Sequence, residues 1–395
     1  MTLDGWKSVA LSELATFQSG GTPNKGQSSF WGGPIPWVTV KDMKAMRLNG
    51  VGESLTEEGA KTVRVVPAGT VLVLVRGMGL FKDLPVALCD RPVTFNQDIK
   101  ALVAKDGVDS EYLAFALIAR KSDILRHVDS AGHGTGRLDT DLLKSTLLPR
   151  PPLPEQRKIA EILRTWDEAL EKLTALRAAK GKRLSALRYA MLLGELRLDD
   201  RRRNWAPTRL AAVTHELTGR NGANGLGRDF VMGVTKAQGV VPMREQTIAS
   251  DISRYKRLPP RAFAYNPMRI NVGSIAMNER DEEVLVSPDY VVFACNAHGL
   301  DPDYLDHLRK TSWWAHYINS GGSGSVRQRT YYDDLAALKL PLPELDEQKA
   351  IAAALNTARD DLAATEREIE AVNRQKRGLM QKLLTGEWRV EGKDS

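Results

Sequence analysis

The side chains best able to do chemistry here are cations set in glycine-rich stretches. QSGGTPNKGQSSFWGGPIPWVTVKDM, residues 18–43, reads as a long Gly/Ser/Thr/Asn loop carrying Lys25, Trp31, Trp37 and Lys41. Small polar residues let a backbone approach phosphates closely, and lysine or asparagine can reach base edges in the major groove. Trp37, beside a Val-rich run, reads as a packing residue. Arg76 follows the apolar run in VVPAGTVLVLVRG, and Arg269 occupies the matching place in RLPPRAFAYNPMRI. An arginine so placed suits either a bidentate contact with guanine or a structural salt bridge. Arg137 lies in SAGHGTGRLDTDLL (130–143), and Arg327, Gln328 and Arg329 lie in GGSGSVRQRTYYDDLAAL (321–338). Loops of this kind carry function more often than cores do. Lys236 completes the candidate DNA-contacting set.

Catalytic patterns are missing from the sequence. No G-x-G-x-x-G opens a helix and there is no P-loop, so neither a dinucleotide nor ATP is expected on this chain. The Asn/Asp-Pro-Pro-aromatic signature of amino-group DNA methylation is absent, NPMR at 266–269 being the nearest string. Two cysteines, Cys89 and Cys295, and six scattered histidines form no zinc spacing. The chain is expected to make or break no bonds itself and to hold no metal or cofactor. A net charge of +7 favours nucleic acid only weakly. No apolar run approaches a membrane span, and with no signal-peptide core the expected location is the cytoplasm.

What positions these cations is a repeat. LPRPPLPEQRKIAEIL (148–163) returns as LPLPELDEQKAIAAAL (340–355), nine of sixteen positions identical at a shift of 192. The register holds through GELRL (194–198) and GEWRV (386–390), and Tyr112-Leu113 meets Tyr304-Leu305. At a shift of 199, Trp6 meets Trp205. The chain therefore reads as two half-chains of one plan.

Each half ends in a long helix. Prolines 149, 151, 152 and 154 forbid helix before about Glu155, and none follows until Pro207. Apolar residues then recur in steps of four and three at Ile159, Leu163, Trp166, Leu170, Leu173 and Leu187, with Arg177 and Lys180 interrupting. The second helix repeats the pattern at Ile351, Leu355, Leu362, Ile369, Val372, Leu379 and Leu383, with Thr365 on the same seam. This is an a/d heptad, the signal of helices that pair. A helix over 155–192 is ~57 Å long, and two of them paired make a rigid rod.

The bodies before the helices, 1–150 and 199–342, read as mixed α and β. VLVLV (71–75) and YVVFA (290–294) read as buried strands, YLAFALIAR (112–120) and YLDHLRKTSWWAHYI (304–318) as helices. LDDRRRN (198–204) reads as a polar connector. The domain boundaries are thus 1–150, a helical region 151–198, a second body 199–342 and a second helical region 343–395, an α+β architecture with internal pseudo-two-fold repeat.

The combination resembles the specificity subunit of type I restriction–modification systems. It rests on P-x-x-x-L-x-E-Q at 149–156 and 341–348, the two long helices, the GGTP…WGG…IPWV…KDM opening and YNPMRINVGS…VSPDYVVF (265–293). The resemblance implies two target-recognition domains, each reading one half of a split double-stranded DNA site. It implies helices pairing as an antiparallel coiled coil, their length setting an unread spacer. Two methyltransferase subunits carrying S-adenosylmethionine are expected as partners, with an ATP-using restriction subunit able to join. A coiled-coil scaffold whose bodies bind protein is the competing reading. Binding to phosphates weakens steeply with salt, which separates the two.

Overall fold

The computed structural model describes residues 6–48, 50–130, 134–198, 205–223, 225–320 and 329–391. It resolves into two compact units: Met1–Leu173 with Glu368–Ser395, and Thr174–Arg367. Each unit thus takes part of both long helices, a different cut from a division into bodies and spacers.

In the first unit, one antiparallel sheet runs Ala15–Ser19, Ile99–Ala104, Val71–Leu74 and Val86–Leu88. A second runs Glu53–Leu55, Trp31–Val38, Val93–Phe95 and Val65–Val66, with Trp31–Val38 parallel to Val93–Phe95. Val71, Leu72, Val73 and Leu74 are all buried, as a strand covered on both faces demands. Helix α1 (Ser110–Ala119) packs on the first sheet, its first turn capped by the Asp109 carboxylate accepting from the Tyr112 amide at 2.8 Å. Helix α2 (Leu153–Leu192) follows.

The second unit repeats both sheets in the same order. Thr214–Glu216, Val291–Cys295, Phe263–Tyr265 and Ile275–Met277 form one. Gly239–Pro242, Val231–Thr235, Val284–Val286 and Lys256–Leu258 form the other, with the parallel pair again between its two middle strands. Helix α3 (Pro302–Leu308), capped by Asp301, takes the place of α1, and helix α4 (Leu345–Thr385) that of α2.

Three expectations from the sequence need correction. Helix α2 begins at Leu153, not Glu155, because a proline in the first turn gives up an amide that has no intrahelical partner anyway. Residues 304–318 are two helices, α3 and Ser312–Ser320, broken where Thr311 turns its hydroxyl to the Trp314 amide at 3.2 Å. The stretch 18–43 is not one loop: WGGPIPWV is an eight-residue strand. Its Gly-Gly-Pro is a bulge, since Trp31 and Ile35 both oppose Leu55. A Cβ on Gly33 would stand 2.4 Å from the Thr56 Cα. The connector residues 199–204 lie outside the described residues.

The helix seam is real, and within each unit it is antiparallel. In the first unit Ile159 and Leu163, early in α2, share a core with Leu383 and Leu384, late in α4. In the second, Leu184, Met191 and Leu192 share one with Ile351 and Leu355. Trp166, Leu170, Leu173, Leu187, Leu362, Ile369, Val372 and Leu379 are half-buried. Polar rungs fill the gaps in the heptad. Lys180, an apparent interruption, donates to Asp361 at 2.7 Å and to the buried Thr365 hydroxyl at 3.0 Å. Lys376 pairs with Asp167 in the first unit.

The repeated Glu-Gln explains why the sequence returns. The Gln156 side-chain oxygen accepts from the Asp109 amide at 2.9 Å, and its nitrogen donates to the carbonyls of Gly107 (3.1 Å) and Pro151 (2.9 Å). Gln348 does the same to Asp301 (2.9 Å), Gly299 (3.1 Å) and Pro343 (2.9 Å). Glu155 accepts from Arg389 and from the Trp6 indole, and Glu347 from Arg197 and the Trp205 indole. Each Glu therefore ties the start of one helix to the tail after the other. Burial pushes the Glu155 carboxyl up, but the bonds from Arg389, Trp6 and the Val390 amide outweigh it and hold the group below the usual carboxylate range.

The units differ in how α1 and α3 are fastened to the helices. In the first, Glu111 of α1 is gripped by Arg47 and by Arg164 of α2. In the second, fully buried His307 accepts from the Arg188 Nε of α2 at its Nδ1 (3.2 Å). Arginine only donates, so the proton sits on Nε2, which meets the Asn356 Oδ1 of α4 at 2.9 Å. Burial lowers the His307 pKa to about 4, and the Arg188 and Lys310 charges add to the lowering, against smaller opposing effects of Asn356 and Asp306. Unfolded, this histidine takes a proton near pH 6.5; folded, it resists one until about pH 4. Its contribution is therefore complete above pH 6.5 and is lost as the pH falls toward 4. Denaturant midpoints should show the second unit losing roughly 2 kcal/mol between pH 7 and pH 5, and His307→Asn should flatten that change. A histidine variant with unaltered pH dependence would refute the assignment.

Candidate nucleic-acid interface

The structure joins two of the candidate cations and separates the rest. Arg76 and Arg137 stand directly opposite each other on adjacent antiparallel strands, Arg76–Gly77 and Gly136–Leu138. They belong to a three-stranded sheet completed by Val128–Ser130, which has no counterpart in the second unit among the described residues. Burial alternates along Gly136, Arg137 and Leu138, so the glycine and leucine face inward and the arginine faces solvent. Residues opposed in register share a face, so both guanidinium groups emerge from the same side. Neither makes an ion pair or side-chain hydrogen bond among the described residues; Asp129, opposite Arg137 on its other side, stays beyond ion-pair distance. Like charges so placed repel, and a phosphate or a guanine edge is the kind of acceptor that would relieve them.

Lys25 is already engaged. Its ammonium lies 5.3 Å and 5.1 Å from the ring centres of Trp31 and Trp37 and pairs with Glu53 at 3.5 Å. Trp31 donates to the Asn24 carbonyl and stands edge-on to Trp37 at 5.1 Å. Trp37 is buried and donates to the Gly21 carbonyl. Trp31 and Trp37 pack together in a small core on the strand Trp31–Val38, and Lys25 lies over both rings from the outside with its side chain 60% exposed. Lys41 is exposed in a turn held by Asp42, whose carboxylate accepts from the Thr39 and Gly52 amides.

In the second unit Arg269 is exposed and, unlike Arg76, lies on no strand. It precedes the short turn Ile270–Val272. Arg329 is exposed and reaches the Tyr331 hydroxyl at 3.5 Å; Arg327 and Gln328 lie outside the described residues. Lys236 lies across Gly273, whose Cβ would stand 3.1 Å from the lysine Cγ, and borders a cleft of about 640 Å³. Arg280, Arg309 and Lys310 also line that cleft, with Glu279 the one carboxylate among the described residues. The buried Asp306 holds Arg309 and Lys310 in place, each donating to its carboxylate. Sequence reading named Lys236 but not Arg280, whose neighbours come from distant segments. Among the described residues no group of three His, Cys, Asp or Glu side chains could hold a metal ion, and no helix is long and apolar enough to cross a membrane.

Two units of one frame, each presenting its own cations, make a duplicated fold. Residues 3–179 match the family model of the type I restriction modification DNA specificity domain. That stretch of the chain is similar to specificity subunits of type I restriction–modification systems. It is 34% identical over 172 residues to the EcoR124I/EcoR124II specificity subunit of Escherichia coli, covering 43% of this chain and 42% of that one. It is 31% identical over 172 residues to the MjaIX specificity subunit of Methanocaldococcus jannaschii, covering 42% of this chain and 39% of that one. Each match thus spans about two-fifths of the curated relative's length. The fold matches the crystal structure of the S subunit from M. genitalium with a TM-score of 0.59 at 15% identity, over 97% of this chain and 98% of that one.

Proposed function

We propose that this chain is the DNA-reading subunit of a type I restriction–modification complex and is not itself catalytic. Each unit reads one half of a split double-stranded target, with an unread spacer between. The helix pair docks two modification subunits, which carry S-adenosylmethionine, and a restriction subunit that uses ATP can join them. The observation that carries this reading is the duplicated frame with unlike surfaces. Gln156 and Gln348 make matching bonds in the two units, while the Arg76–Arg137 sheet and the Lys236 cleft are each described in one unit. A repeated frame suits two identical partners, and unlike surfaces suit two different half-sites.

The test is to express the chain with its modification subunit in an unmethylated host and to map modified bases genome-wide. A split motif that disappears when this chain is omitted is the expected result. An assembled complex that adds no methylation, and whose binding is insensitive to salt, would favour a protein-binding scaffold instead.

A further inference from the structure

The first unit carries an exposed apolar ridge next to Arg76 that the recognition proposed above does not use. Met78–Phe81 form a single 3₁₀ turn directly after Gly77. Leu80 anchors it, fully buried. The bare backbone of Gly136 makes room, since a Cβ there would stand 3.1 Å from the Leu80 Cβ. With Leu80 inside, Met78 and Phe81 are left 74% and 52% exposed. Side chains three apart in a 3₁₀ turn eclipse one another, so the two make one ridge. Arg76 precedes it and Lys82 follows it, both exposed and neither with an ion-pair partner among the described residues. The nearby Asp83 is taken up by Lys121 at 2.9 Å.

An apolar ridge with a free cation at either end matches a base step flanked by its phosphates. An apolar protein surface would cover the ridge but offer Arg76 and Lys82, which have no ion-pair partner among the described residues, no acceptor. We propose that Met78 and Phe81 form a wedge that enters a base step of the half-site held by the first unit, with Arg76, Arg137 and Lys82 on the adjoining phosphates or base edges. The inference rests on the DNA-reading function proposed above. Apolar side chains inserted between base pairs unstack and kink the duplex. Pyrimidine–purine steps yield most easily, so the wedge adds a preference for such a step without a hydrogen bond to either base.

The test uses the complete chain with its modification subunits, on duplexes bearing the mapped target. 2-Aminopurine is placed in turn at each position of the half-site. Binding should raise emission several-fold at one step, and Met78→Ala with Phe81→Ala should abolish that rise while leaving the salt dependence of binding unchanged. A base extruded for methyl transfer brightens with either protein and is thereby told apart. Specific binding with no position that responds to the double substitution overturns the wedge and leaves the DNA reading intact. A double variant that no longer assembles with the modification subunit also overturns it, assigning the ridge to a protein contact. Failure of the unaltered chain to bind the mapped duplex removes the reading beneath it.

Discussion

Gln156→Leu should lower the stability of the first unit by about 3 kcal/mol or more, because three backbone groups lose their partner at once and an unmet buried group costs roughly 1–3 kcal/mol. The side chain is almost fully buried, and leucine fills a similar volume without replacing the bonds to Asp109, Gly107 and Pro151. The Asp109 amide also opens the turn that caps α1, so the damage reaches the helix that packs on the main sheet. Denaturant titration should show an earlier midpoint at unchanged slope. Gln348→Leu should do the same to the second unit through Asp301, Gly299 and Pro343. Lys158→Ala, which removes an exposed pair with Glu161, should change stability by less than about 0.5 kcal/mol. A Gln156→Leu loss as small as that control would mean the bonds are incidental.

The second large effect separates binding from folding. Arg137→Ala should weaken binding to target DNA by roughly 10- to 100-fold, the range of about 1–3 kcal/mol expected for a good base contact. The loss should be confined to one half-site. The protein itself should be as stable as before, or more stable by a few tenths of a kcal/mol, because Arg76 no longer faces a like charge across the strands. Anisotropy titrations on labelled duplexes and denaturant titrations of the same preparations measure both. A variant that is destabilised by more than about 1 kcal/mol while keeping its affinity would make the arginines structural.

Much of the frame can be read along the chain because its signals are local or periodic. The heptad predicts the seam, and Ile159, Leu163, Ile351, Leu355 and Leu383 are indeed buried in it. The apolar runs at 71–75 and 290–294 give the strands Val71–Leu74 and Val291–Cys295, since their β-branched residues suit an extended backbone. WGGPIPWV misleads for a local reason: its Gly-Gly-Pro looks like a loop, yet it is a bulge that needs its partner strand to be understood. The candidate interface was legible only as residue types. That Arg76 meets Arg137 depends on strand register between residues 61 apart in the chain. That Lys25 lies over the rings of Trp31 and Trp37 depends on the course of the chain between it and the strand Trp31–Val38. The repeat also marked Glu155 and Gln156, but their partners lie up to 235 residues away, and no spacing rule points to them.

The clasp on Glu155 is closed by Trp6, 149 residues earlier, and by Arg389, 234 residues later. The clasp on Glu347 is closed by Arg197 and Trp205 in the same way. The parts therefore follow one another in cyclic order: body, helix, body, helix, the last helix returning to the first body. A frame closed in this manner does not distinguish a first half from a second. What makes each half particular is its own fastening, Glu111 to Arg164 of α2 in one unit and His307 to Arg188 of α2 and Asn356 of α4 in the other.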